Sequence, residues 1–149
     1  MRRLVLTTML LALAVAYGPG KNETVVELKS RFESSRVEDR PELGIRIAQQ
    51  QLRTADTLYS EGKDDEARAA VDDTASYSEK ARDAAIRTKR RLKDVEIQVR
   101  KMAAKLRDIK RTLAFENQEP VEEAIRRLED VRTSLLKEMF AEGNKKEQK

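Results

Sequence analysis

Between Asp64 and Glu116 the alternation of apolar and polar positions reads as a single helical seam. Small or apolar residues recur at Ala67, Ala70, Thr74, Tyr77, Ala81, Ala84, Thr88, Leu92, Val95, Val99, Met102, Leu106, Ile109 and Leu113. Steps of three and four lay one stripe along a helix that packs on partner helices. No glycine or proline lies between Gly62 and Pro120 to interrupt it. The exception to the alternation is Ala84, Thr88, Leu92, two successive steps of four. Such a stutter relaxes supercoiling and is where a bend belongs. The first half of the seam is mostly alanine, which suits close approach of a bulky neighbour. The second half is itself bulky and needs cover.

The flanking patterns supply the neighbours. In residues 23–34, Val25, Leu28 and Phe32 share a helix face, while Val26, Leu28 and Phe32 also fit a strand. With no second strand to pair with, a short helix is expected. Pro41, with Glu38, Asp39 and Glu42 around it, suits the start of a helix over 41–61. Its face carries Ile45, Ala48, Leu52, Ala55 and Tyr59, with Ile47 and Leu58 beside them. Gly62 closes it, and Asp64, Asp65 and Glu66 open the next helix after a link short enough to force an antiparallel return. Glu119, Pro120, Glu122 and Glu123 begin a last helix over 120–142, whose stripe is Val121, Ala124, Ile125, Leu128, Val131, Leu135 and Met139. Gly143 and Asn144 mark its expected end, leaving 143–149 as a disordered tail.

The fold class expected is all-α: antiparallel, coiled-coil-like helical hairpins built on one long central helix over 64–116. The alternative is a break near Thr88 that folds the chain into a compact four-helix bundle. In the extended form the second hairpin leaves apolar surface wet. Leu92, Val99, Met102, Leu106, Leu128 and Leu135 are therefore its packing groups and candidate interface for self-association or a protein partner.

The opening MRRLVLTTMLLALAVA has a basic start, an apolar run and a small-x-small close at Ala14 to Ala16. It reads as a signal peptide over 1–16, cleaved near Ala16 and followed by a linker over 17–22, in a chain exported to the periplasm or beyond. The apolar run is well short of the ~20 residues of a spanning helix. The net charge of +4 includes Arg2 and Arg3 of this leader.

Composition narrows the chemistry. The chain is 39% charged and 4% aromatic, with no cysteine and no histidine. That suits solvated helices and removes disulfides, thiolate nucleophiles, the usual zinc ligands and the usual neutral-pH base. No phosphate-binding glycine loop or nucleophile elbow appears, and paired carboxylates would need a pocket that a slim hairpin does not offer. An enzyme is the least expected class, and no metal or cofactor is expected. The acidic group Glu61, Asp64, Asp65, Glu66, Asp72 and Asp73 lacks the ligand alternation of a calcium loop and fits the start of a helix.

Between Lys80 and Arg111 stand thirteen Lys or Arg against Asp83, Asp94, Glu96 and Asp108. Lys93, Arg100 and Arg107 repeat every seven residues, along one stripe. One reading is a surface for polyanions such as anionic envelope components or lipid headgroups. The other is a solvated face stabilised by the acid-first pairs Asp83 with Arg87 and Glu96 with Arg100. Nucleic acid fits less well, because no aromatics interleave with the cations. The function expected is that of a non-enzymatic exported interaction or scaffold protein, with polyanion or membrane-surface binding as the alternative.

Residues 48–81 resemble one tetratricopeptide repeat. Ala55 and Leu58 stand at the small and large apolar positions of the first helix, Gly62 at the turn, and Ala67 and Val71 at packing positions of the second. Ala75 is one place from the last expected alanine, and Glu79 stands where the closing proline is expected. The resemblance implies a helical hairpin with an interaction role. It transfers no peptide-contacting residues, since such grooves need at least three repeats.

Overall fold

The computed structural model describes residues 23–147. The leader and linker read from residues 1–22 lie outside them. Among the described residues are five α-helices, α1 (Val25–Ser34), α2 (Arg40–Ser60), α3 (Asp64–Thr88), α4 (Leu92–Thr112) and α5 (Gln118–Glu147), with a 3-10 turn at Phe115–Asn117 and no strand. The chain is an all-α bundle.

Local chemistry accounts for the ends. A reciprocal capping box starts α1: Thr24 Oγ1 accepts from the Glu27 N–H at 3.2 Å, and Glu27 Oε2 accepts from the Thr24 N–H at 2.9 Å. Pro41 sits in the first turn of α2, where its missing N–H costs nothing. Gly62 stands in the middle of the three-residue α2–α3 link with φ +73, a conformation glycine adopts without strain.

The single helix expected over 64–116 is two helices, so the extended form is corrected in favour of the alternative, a break near Thr88 that folds the chain into a bundle. Lys89 and Arg91 lie in the left-handed region, φ 55 and 59, and the chain turns back at the stutter. The Arg90 N–H donates to the Ala85 carbonyl at 3.2 Å to close α3. Each left-handed residue costs about 1–2 kcal/mol. Burial outweighs that cost, at roughly 1.5–3 kcal/mol per large apolar side chain. The turn lets α5 pack on α3 as well as α4, while α2 packs closely on α3 and more loosely on α4. α3 accordingly buries a broader stripe than the heptad seam, adding Val71, Ala75, Ser78 and Ala85. α1 closes the other side, with Phe32 edge-on to Tyr77 at 5.4 Å between ring centroids.

A second correction concerns the C-terminus. Gly143 and Asn144 do not end α5, which continues to Glu147. Gly143 lacks the positive φ of a cap, and a solvent-exposed helix needs no side-chain room there.

Two contacts tie α3 to its neighbours. At Gly44 of α2 the backbones approach so closely that a Cβ would stand 3.0 Å from both Ala81 Cβ and the Tyr77 carbonyl oxygen. On the other face, Arg127 of α5 clamps α3. Its Nε and Nη2 donate to the two Glu79 carboxylate oxygens at 2.8 Å each, its Nη1 to Asp72 at 2.7 Å and its Nη2 to Ser76 at 3.0 Å. The hydrogen bonds from Arg127 hold the Glu79 carboxyl below the usual carboxylate range.

Two outcomes follow from these contacts. Gly44→Ala gains helix propensity but forces backbone against backbone, and a net loss of about 1 kcal/mol is expected in urea unfolding. Because the folded-state pKa of Glu79 is lowered, its stabilisation is present above the ordinary carboxylate pKa of about 4.3 and is lost as pH falls through the lowered value. Acid unfolding of the wild type should therefore steepen below about pH 4.3, and Arg127→Met should remove part of that slope. An unchanged acid profile in Arg127→Met would show that the clamp contributes nothing.

Candidate functional site

The cations of the central stretch sort by whether the fold gives them a carboxylate. Lys89 is tied to Glu138 of α5, Arg91 to Glu42 of α2 at 2.9 Å, and Lys105 to Asp56 of α2 at 2.7 Å. Arg107 pairs with Glu129, Lys110 with Glu122 at 3.0 Å, and Arg111 with Asp108 at 2.9 Å. Arg82 is held by Asp83 at 2.8 Å, and Lys80 lies 4.6 Å from the Tyr77 ring centroid and 4.0 Å from a Glu33 oxygen. Arg87, Arg90, Lys93, Arg100 and Lys101 have no carboxylate within 4.0 Å among the described residues.

All five residues are exposed; Arg87, Arg90 and Lys93 crowd the turn, while Arg100 and Lys101 lie further along α4. The turn itself explains the crowding. Reversing the chain within residues 89–91 puts the last turn of α3 and the first turn of α4 at one end of the bundle. Asp94 is the exposed carboxylate set among them. Both acid-first pairs expected to neutralise this stretch are replaced, since Asp83 pairs with Arg82 and buried Glu96 accepts from Arg132 Nε at 3.1 Å. Arg87 and Arg100 are thereby left without the acids that the spacing assigns them.

The expected stripe is thus split. Lys93, Arg100 and Arg107 are all exposed on α4, but Arg107 belongs to an ionic network with Glu129, Arg132 and Glu96 across α4 and α5. Sequence reasoning singled out Lys93, Arg100 and Arg107 by their spacing of seven and left Arg87 and Arg90 among the thirteen cations of the stretch, because which of them lacks a carboxylate is decided by contacts between helices. The run of cations from Lys89 to Arg91 at the stutter is the signal that marks them.

The six candidate interface residues all lie inside the bundle. Val99, Leu106, Leu128 and Leu135 are 0% exposed, Met102 3% and Leu92 6%. They are packing groups, and the second hairpin finds its cover in the first rather than in another molecule. The surface between α2 and α4 carries two shallow grooves of about 280 and 290 Å³ on either side of a Gln49–Gln98 hydrogen bond of 2.9 Å. They are open and mixed in polarity, without converging catalytic groups. No cluster of three or more His, Cys, Asp or Glu that could hold a metal occurs among the described residues, and none of their helices is long and apolar enough to cross a membrane.

No family model matches the chain, and no curated protein and no solved structure matches it either.

A charge placed at Val99 tests the correction directly. Val99→Lys buries an unpaired ammonium and should cost about 3–5 kcal/mol of stability by chemical denaturation. A variant that keeps wild-type stability would place Val99 on a free surface instead.

Proposed function

We propose that the protein is an exported, non-enzymatic helical interaction module that docks on polyanionic surfaces through the basic end of the bundle formed by the α3–α4 turn. The observation that carries this reading is the set of five exposed cations, Arg87, Arg90, Lys93, Arg100 and Lys101, that lack carboxylate partners among the described residues where most of their neighbours have them. An ion-paired lysine or arginine must break its pair before it meets a phosphate. These five need only shed water and counterions, so their contribution to binding is the favourable release of counterions from the polymer or membrane. Exposed aromatics are not interspersed among them, so the surface reads charge density rather than bases. The scaffold role is carried by the rigid bundle behind that surface.

The test is binding of the full chain without its leader to vesicles rich in phosphatidylglycerol and, separately, to long-chain polyphosphate. With about four or five cations engaged, affinity should fall roughly a hundredfold between about 50 and 200 mM salt. Arg87→Gln, Arg90→Gln and Lys93→Gln combined should remove most of the binding. Lys110→Gln, Arg111→Gln and Arg126→Gln combined remove the same charge from ion-paired positions and should leave most of it. Binding indifferent to salt, or equal losses in both variants, would refute the reading.

A further inference from the structure

We propose that the α3–α4 turn is a hinge for exchange between two copies of this chain. Residues 89–91 straighten, α3 and α4 join into one helix, and the α4–α5 hairpin of each copy takes the place of the other's.

Three observations carry this. The turn is built from Lys89, Arg90 and Arg91, good helix formers, with Lys89 and Arg91 held in left-handed conformations suited to glycine. Strained short links of this kind invite domain swapping, because straightening relieves strain while every other contact is remade between copies. The seam also reads across the turn, through Ala84, Thr88, Leu92 and Val95. Finally, α5 overruns the turn. Glu138 is level with Lys89 through their ion pair, and α5 continues to Glu147 with Phe140 71% exposed. Exchange joins two composite bundles end to end at the turn. The projecting last turns of α5 then lie alongside the opposite bundle, which gives Phe140 a partner surface.

Electrostatics sets the balance between the two forms. The Lys89–Glu138 and Arg91–Glu42 pairs hold the turn closed, and the exchanged form brings two basic ends together. Salt weakens both the closing pairs and that repulsion, so the exchanged dimer gains as ionic strength rises. A dimer formed by surface charge alone does the opposite.

The Arg127 clamp provides the decisive test, because in the exchanged dimer it forms between copies. Glu79→Arg in one preparation and Arg127→Glu in another each break the clamp within a chain and within a homodimer. Mixed after joint refolding, they form a charge-reversed clamp in one composite bundle and the native one in the other. The expected result is a heterodimer by light scattering, with elongated X-ray scattering and recovered helicity and thermal stability. In the wild-type background, Lys89→Gly with Arg91→Gly should lower the dimer fraction after concentrated refolding by at least about tenfold, since glycine accepts the turn and disfavours the straight helix. Lys89→Ala with Arg91→Ala should raise it, by removing the closing pairs and favouring the helix. A mixture that yields no heterodimer overturns the proposal, whether or not each variant folds alone. So does a dimer that is compact, or one indifferent to glycine against alanine at the turn.

Discussion

The reversal of the chain at Lys89 to Arg91 is the constraint on which the rest of the bundle depends. Without it, α3 has neighbours on one face only and the bulky seam of α4 is left to a two-helix hairpin. With it, α3 is enclosed between α2 and α5, and Val71, Ala75 and Ser78 join the core beside Ala67, Ala70 and Thr74. The left-handed residues Lys89 and Arg91 are the local cost of a global gain, since apolar burial grows with every helix face that finds a partner. The buried polar residues Thr74, Ser78 and Glu96 are provided for. Thr74 Oγ1 donates to its own helix at Ala70 and lies 3.3 Å from the Ala48 carbonyl of α2, and Ser78 donates to the Thr74 carbonyl at 2.7 Å. Buried Glu96 is balanced by Arg132, which reaches in from α5.

The periodicity made α1, α2 and α5 legible as separate helices, read α3 and α4 as one, and named nearly all of the core. Gly62 and Pro120 punctuated the links where they stand, and the alanines of α3 anticipated close packing on α2. The long seam misled for a definable reason. A helix that ends in a left-handed lysine carries no glycine or proline to announce it, so Lys89 reads as one more good helix former. The break is marked by the stutter at Ala84, Thr88 and Leu92, and by apolar or small residues one step outside the heptad seam, Val71, Ala75 and Ala85, which widen the stripe beyond a single partner. The candidate surface was less legible still. Spacing assigns Asp83 to Arg87 and Glu96 to Arg100, and tertiary structure gives those acids to Arg82 and Arg132 instead. Which cation remains without a partner is decided across helices, not along one.

That redistribution has a physical logic. Glu96 is nearly buried and requires a cation that reaches it from a neighbouring helix with its guanidinium only partly exposed, which Arg132 does at 24% side-chain exposure. Arg100, one turn along α4, points to solvent and lacks that geometry. Pairing in this bundle is therefore concentrated where helices meet: Arg127 with Glu79, Lys105 with Asp56, Lys89 with Glu138, Arg91 with Glu42. Arg87, Arg90, Lys93, Arg100 and Lys101 are left over and exposed, and so an external anion can approach them.

The turn thus concentrates two properties in a few residues. It is where the backbone is strained, and where unpaired positive charge is densest. Charge crowding adds to the strain in either form: in the closed chain Arg87, Arg90 and Lys93 repel within one end, and in an exchanged pair two such ends confront each other. A multivalent anion relieves both repulsions, but unequally. It meets one basic end in the closed chain and two in the exchanged pair, so at equal site affinity it is held by twice the charge and stabilises the pair preferentially through effective concentration. The two proposed equilibria, polyanion docking and exchange at the hinge, would in this way be thermodynamically linked, each shifting the other by the same factor.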